Sequence, residues 1–306
     1  MQLSHLRWLT LPLLAVAAPS WADQPLSDLF TQGKPILDAR YRFENVDQNN
    51  DLRDANAQTL RTRAGFQSGQ WYGLSGLLEV DNVSRIGDDA YNSTRNGQKE
   101  YAVVADPDGT EVNQALLRYD HKLGSAVLGR QRINLDNQRF IGSVAWRQNE
   151  QTFDGALTQL KPLDGLTLSY AYLDQVNTVF GPDNGRYDNV TNPANIDGHS
   201  HLINAQYVFM PQLTATAYSY LLDLDNIAVA PTAVEGTLSS QTSGLRLNGV
   251  VAGVSYALEY AQQTDYGDNP LELDSEYYLA ELGYTLKGVQ LKAGYEVLGG
   301  DNGNGN

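Results

Sequence analysis

Cysteine is absent from the 306 residues. That removes disulfide scaffolds, thiolate-held zinc or iron–sulfur centres and a thiol nucleophile. Histidine is scarce, with 4 in all, and only His121, His199 and His201 lie beyond the N-terminal segment. Positive charge is also thin: 21 Lys and Arg face 36 Asp and Glu, for a formal charge of −15 and a pI near 4.5. Such a balance excludes the basic face that a nucleic-acid binder needs. No segment approaches the roughly 20 consecutive apolar residues of a membrane helix. Yet 42% of residues are hydrophobic, too many for a disordered chain. Tyrosine is what abounds, at 18 against 7 Phe and 4 Trp. A Tyr-rich, Gly-rich, acidic, Cys-free chain has the composition of an exported β protein of a bacterial envelope.

Residues 1–22 read as a Sec signal peptide. Arg7 supplies the positive n-region, Leu9 to Ala18 the short apolar core with Pro12 inside it, and Ser20-Trp21-Ala22 the small-x-small cleavage site. The remaining 23–306 then form one exported domain. Within it, period-two alternation recurs and no helical period is sustained. Leu37, Ala39, Tyr41 and Phe43 alternate with Asp38, Arg40, Arg42 and Glu44; Leu60, Thr62, Ala64 and Phe66 alternate with Arg61, Arg63 and Gly65. About thirteen such strands of about ten residues can be counted, the length that crosses a bilayer when tilted.

The connections carry the stronger signal. Short turns near 67–70, 121–124, 161–165, 210–211, 248–249 and 287–288 alternate with long polar loops near 47–56, 83–110, 134–149, 175–200, 223–240 and 262–275. Tight periplasmic turns facing long external loops are the signature of a transmembrane antiparallel up-and-down β-barrel. Tyr41, Tyr72, Tyr119, Tyr170, Tyr172, Tyr207, Tyr256, Tyr260, Tyr278, Tyr284 and Tyr295 fall on the apolar face, as an aromatic girdle requires. Thirteen is odd, however, and Gly299 to Asn306 reads as the start of another external loop without a closing aromatic. The expectation is a barrel incomplete at its C-terminal end.

With the apolar face turned to lipid, the inward set is basic early and acidic late. Arg40, Arg42, Arg61, Arg63, Arg118, Arg130 and Arg132 come from the first five strands; Glu259, Glu281 and Glu296 come from the last three. A contiguous guanidinium wall focuses positive potential and suits carboxylates, which it can grip bidentately. The alternative is that Asp38, Glu44, Glu79 and Asp81 neutralise these arginines in a structural network.

The stretch Leu128-Gly129-Arg130-Gln131-Arg132, continued by Trp146-Arg147-Gln148-Asn149-Glu150-Gln151-Thr152-Phe153-Asp154, resembles the alginate export family of outer-membrane β-barrels. The resemblance extends loosely from Leu29 to Leu298. It implies a monomeric barrel of about sixteen to eighteen strands in the Gram-negative outer membrane. It also implies an arginine-rich lumen, Arg130 and Arg132 included, that passes anionic uronate oligo- or polysaccharide or small anionic solutes. Its partners would be outer-membrane lipid, lipopolysaccharide and a periplasmic export component, with no nucleic acid and no cofactor. The loop after Arg132 is the candidate constriction, and loops 83–110 and 175–200 could also fold over the mouth.

Other signals are weak. Three histidines leave little for a Ser-His-Asp hydrolase, and His199-x-His201 lacks a third metal ligand. The expectation is a non-enzymatic channel with no metal site. A non-conducting barrel serving as adhesin or structural platform through its external loops is the alternative.

Overall fold

The computed structural model describes residues 24–182, 192–225 and 237–300. The proposed signal peptide, the tip of the 175–200 loop and the last six residues lie outside them. A four-residue helix α1 (Asp28–Thr31) precedes thirteen strands. They are β1 (Lys34–Val46), β2 (Ala55–Gln67), β3 (Leu74–Arg85), β4 (Gly109–His121), β5 (Gly124–Gln131), β6 (Thr152–Leu160) and β7 (Leu166–Asn177). The second half comprises β8 (Asn195–Met210), β9 (Leu213–Leu222), β10 (Ser240–Val251), β11 (Val254–Asp265), β12 (Asp274–Leu286) and β13 (Val289–Leu298). Each strand pairs antiparallel with the next, in the order β1 through β13, so the chain is an all-β, up-and-down sheet with β1 and β13 at its edges.

The sheet curls. Eleven strand steps separate β1 from β12, which in a flat sheet is about 53 Å at a spacing of about 4.8 Å. Yet the loop between β5 and β6 touches both strands. Phe140 packs on Tyr277 of β12 at 5.4 Å between ring centroids, and the Ala145 carbonyl accepts from Arg40 of β1 at 3.0 Å. The five residue steps from Phe140 to Ala145 can span only about 18 Å. The concave space that this loop bridges is the lumen.

The convex face is apolar. Leu37, Phe43, Leu78, Leu117, Leu128, Leu258 and Leu282 stand exposed there among Tyr41, Tyr119, Tyr260, Tyr278 and Tyr284, the outward band and aromatic girdle of a lipid-facing barrel. Tyr260 and Tyr278 sit opposite each other in the register, their rings 5.0 Å apart.

Connections alternate between tight and long, as the sequence pattern predicts. Tyr72-Gly73, Ala252-Gly253 and Lys287-Gly288 each carry two successive positive φ angles (51° and 83°, 50° and 82°, 48° and 83°), the two-residue hairpin geometry that matches strand twist. Two turns differ from expectation. The β2–β3 turn falls at Tyr72-Gly73 and not at 67–70, because Trp71 still pairs with Leu74. Asn248-Gly249 lies inside β10, which runs on to Val251 before turning at Ala252-Gly253. Gly249 serves a close approach instead: a Cβ there would come 2.1 Å from the Gln212 carbonyl oxygen.

Candidate functional site: a lumen crossed by the β5–β6 loop

Residues 132–151, between β5 and β6, fold into the lumen. Hydrophobic burial fixes one half. Ile133 and Ile141 join Phe153 of β6, Leu173 of β7, Ile196 and Leu202 of β8 and Tyr218 and Tyr220 of β9 in a core inside the sheet. Polar anchors lock it further round. Tyr220 and Asn204 donate to Asp136 at 2.7 and 3.0 Å, and Phe140 packs between Tyr218 and Tyr277. Asp136, Gln138 and Val144 have φ of 53°, 61° and 51°, left-handed conformations that cost free energy and persist because surrounding contacts impose them.

The other half of the loop seats against β1 and β2. Gln148 has no exposed surface; its Nε2 donates to the Arg40 and Thr59 carbonyls (3.1 and 3.0 Å) and to Thr59 Oγ1 (2.9 Å). Its Oε1 accepts from Arg40 Nε at 2.9 Å, and its N–H donates to Asp106 at 3.1 Å. Asp106 comes from the β3–β4 loop, so two external loops meet in the lumen.

Of the seven predicted arginines, Arg40, Arg42, Arg61 and Arg63 share the inner face of β1 and β2. Arg118 lies inward low on β4, and Arg132 turns inward where β5 ends. Arg130 is a correction. It shares its face with exposed Leu128 and sits opposite Ala115 and Asp154, whereas Gln131 and Phe153 point to the core. Arg130 therefore stands on the outer side, clasped by Asp154 at 2.8 Å through Nε and again through Nη2. The reason is where β5 stops: Arg130 and Arg132 would share a face in a continuous strand, but the chain leaves the strand after Gln131.

The inward guanidiniums are matched by carboxylates. Arg61 pairs with Asp38 at 2.5 Å, and Arg118 with Asp120 at 2.7 Å. Arg63 grips Asp81 with two bonds of 2.7 Å. Glu79 and Glu150 form a buried hub shared by Arg63, Arg132 and Asn113, with Arg132 at 2.5 Å from Glu79 and Asn113 at 2.7 and 2.6 Å. Arg40 is the exception, bound to Gln148 and to the Ala145 and Arg147 carbonyls. Late in the chain Glu259 meets Arg246 and Tyr218, and Glu281 meets Lys292.

Two loop carboxylates are pushed in opposite directions. Burial raises Asp106, and the Gln148 N–H, Arg42 and Arg147 only partly oppose it. Burial would raise Glu150 too, but the Arg132 hydrogen bond and the charges of Arg132 and Arg63 outweigh it and lower the carboxyl. Sequence reasoning missed Gln148, Asp106, Arg147 and Glu150 as lumen groups, together with Tyr218, Tyr220 and Tyr277. The Trp146–Asp154 motif signalled most of them. The tyrosines sit in strands such as Ala217-Tyr218-Ser219-Tyr220, where neither face is decisively polar. His199 and His201, on the outer face, accept or donate hydrogen bonds with Tyr172 and Tyr170 at 2.8 and 2.9 Å.

Thirteen antiparallel up-and-down strands, an apolar outside and a polar inside crossed by a loop define a porin-like barrel of the Gram-negative outer membrane. The family model for alginate export matches residues 36–304, and the chain belongs to that family. No curated protein matches it. Among solved structures it is similar to OccK3 (OpdO) of Pseudomonas aeruginosa, with a TM-score of 0.59, 18% identity, and coverage of 90% of this chain and 66% of that one. OccAB2 and OccAB3 of Acinetobacter baumannii each give a TM-score of 0.64, at 17% and 16% identity, covering 90% and 89% of this chain and 68% of theirs. These neighbours are outer-membrane β-barrel porins. The chain thus spans about two thirds of the structures it resembles.

Proposed function

We propose that the protein is a passive outer-membrane channel for anionic solutes, chiefly uronate-type oligo- or polysaccharide. It selects by size and by guanidinium groups around the β5–β6 loop. The observation that carries this reading is the loop pinned between the arginine-bearing β1–β2 wall and the β8–β12 wall, which narrows the lumen beside Arg40, Arg42, Arg63 and Arg132. Membership of the alginate export family supports the substrate class. Paired arginines still contribute: a guanidinium has five N–H donors and a carboxylate occupies two or three of them, so the rest can meet a passing carboxylate. The barrel works as a monomer in lipid and lipopolysaccharide, receives polymer from a periplasmic export component, and carries out no covalent chemistry.

The test is a planar-bilayer measurement on purified protein. A reversal potential favouring anions, together with current block by oligouronate, is the expected result. Arg63→Gln combined with Arg132→Gln should reduce the anion preference severalfold. A cation-preferring or indifferent pore that oligouronate does not block would sink the anion claim. The second reading is a non-conducting platform acting through its external loops, and the near-complete pairing of lumen arginines favours it. That reading predicts no current at all.

A further inference from the structure

Trp146 lies on the β5–β6 loop, inside the lumen, and is 60% exposed. For a large aromatic ring held on an ordered polar loop this is unusual exposure, and its neighbours are cationic. The Arg147 guanidinium lies over the ring at 4.3 Å from its centroid and that of Arg42 at 5.2 Å. Arg42 Nη1 also donates to the Trp146 carbonyl at 2.6 Å, and Arg40 to the adjoining carbonyls, so the ring is held in place by the β1 wall. Around it Arg40, Arg42 and Arg147 face Glu44 and Asp106: three positive groups against two negative ones. Asp106 is buried and closed to a ligand. Among the described residues Arg147 meets Glu44 and Asp106 through Nη1, with Nε and Nη2 left for a ligand.

We infer that Trp146, Arg42 and Arg147 form a subsite for one acidic sugar ring of a passing saccharide. The C–H face of a pyranose stacks on an exposed indole as other apolar faces do, burying area without fixing a single hydrogen-bond pattern. A carboxylate on the same ring then meets the excess positive charge, where charge-assisted bonds from guanidinium are strong. Neutral sugars have the stacking face without the second contact. The subsite deepens the channel reading and rests on it for its substrate class.

The test is fluorescence, independent of current. Within residues 23–306 tryptophan occurs at Trp71 and Trp146, so in a Trp71→Phe variant freed of residues 1–22 this segment reports through Trp146. Oligomannuronate of four to six units should shift Trp146 emission saturably, and maltooligosaccharide of equal length should not. In bilayers, Trp146→Ala should raise the oligouronate concentration needed for half block about tenfold, while Trp146→Phe, which keeps a stacking face, stays within about threefold. Arg147→Gln should weaken block by acidic sugar severalfold. An electrophoretic shift between heated and unheated protein verifies that each variant is folded. Equal shifts with both sugars, or none with either, would overturn the subsite. Current blocked by oligouronate with a silent Trp146 overturns the subsite and leaves the channel standing; a saturable shift without any current does the reverse.

Discussion

The Gln148 side chain commits both ends of its amide to the β1–β2 wall, donating to two carbonyls and a hydroxyl and accepting from Arg40. Because the site is fully buried, truncation strands partners that water cannot reach. Gln148→Ala should cost about 1–3 kcal/mol of loop seating. The readout is excess open-channel noise, and a quiet trace would show the loop is held by other contacts. Asp106, beside it, carries a pH dependence with a definite sign. Its carboxyl is raised by burial, so its contribution to loop stability is largest at low pH and is lost as pH rises through the folded-state value. Glu150 is lowered, and its contribution is lost in the opposite direction, as pH falls. Protonating Asp106 also leaves Arg42 and Arg147 less countered. Anion preference should therefore rise as acidification protonates Asp106, and Asp106→Asn should remove that rise and flatten the profile. Parallel profiles in the two proteins would assign the pH response to other groups. Single residues were also where sequence reading failed: Arg130 obeys strand parity, but parity alone does not say on which residue β5 ends.

Strands and turns were legible because their signals are local. Alternation at every second residue is the pleat itself, and all thirteen strands appear where Leu37–Phe43, Leu74–Val80 or Tyr277–Leu282 announce them. The β10–β11 turn was misplaced by four residues, since Asn-Gly is the stronger turn signal and its glycine is used for a backbone approach instead. The direction of the β5–β6 loop was only half legible. Ile133 and Ile141 in a polar stretch mark a segment that must bury something, but their partners lie on strands up to 144 residues away, as Ile133 and Tyr277 do within one core. At the scale of this element the prediction is simple. Replacing residues 136–148 by a short Gly-Ser linker removes the strut and both of its anchors. Single-channel conductance should rise severalfold and oligouronate block should vanish. Unchanged conductance would place the constriction in another loop. Phe153→Ala tests the same seat from the wall: it opens a cavity beneath Ile133 and Ile141 and should cost about 3–5 kcal/mol in denaturant unfolding.

At the scale of the whole molecule, charge is arranged against the direction of the proposed traffic. The chain carries −15 overall, with acidic groups such as Asp47, Asp51, Asp88 and Asp89 on the external loops, while the excess positive charge beside Trp146 is a single unit over a short distance. Which field an entering anion feels depends on screening. The Debye length is about 30 Å at 0.01 M salt, about 10 Å at 0.1 M and about 3 Å at 1 M. At the lowest salt the distributed negative charge reaches the pore mouth and opposes anion entry. Near 0.1–0.3 M that far field is damped, while the guanidiniums within a few ångströms of a bound carboxylate are still felt. At 1 M even these are largely screened. The anion preference should therefore pass through a maximum at intermediate ionic strength instead of falling steadily as it does for a uniformly basic pore. Reversal potentials measured at a fixed twofold gradient from 0.01 to 1 M check this. Neutralising the external acidic loops should move the maximum toward low salt, because only the opposing far field is removed. A preference that declines monotonically in both proteins would mean that the local arginines alone set the field along the whole path, and that the acidic loops lie too far from it to matter.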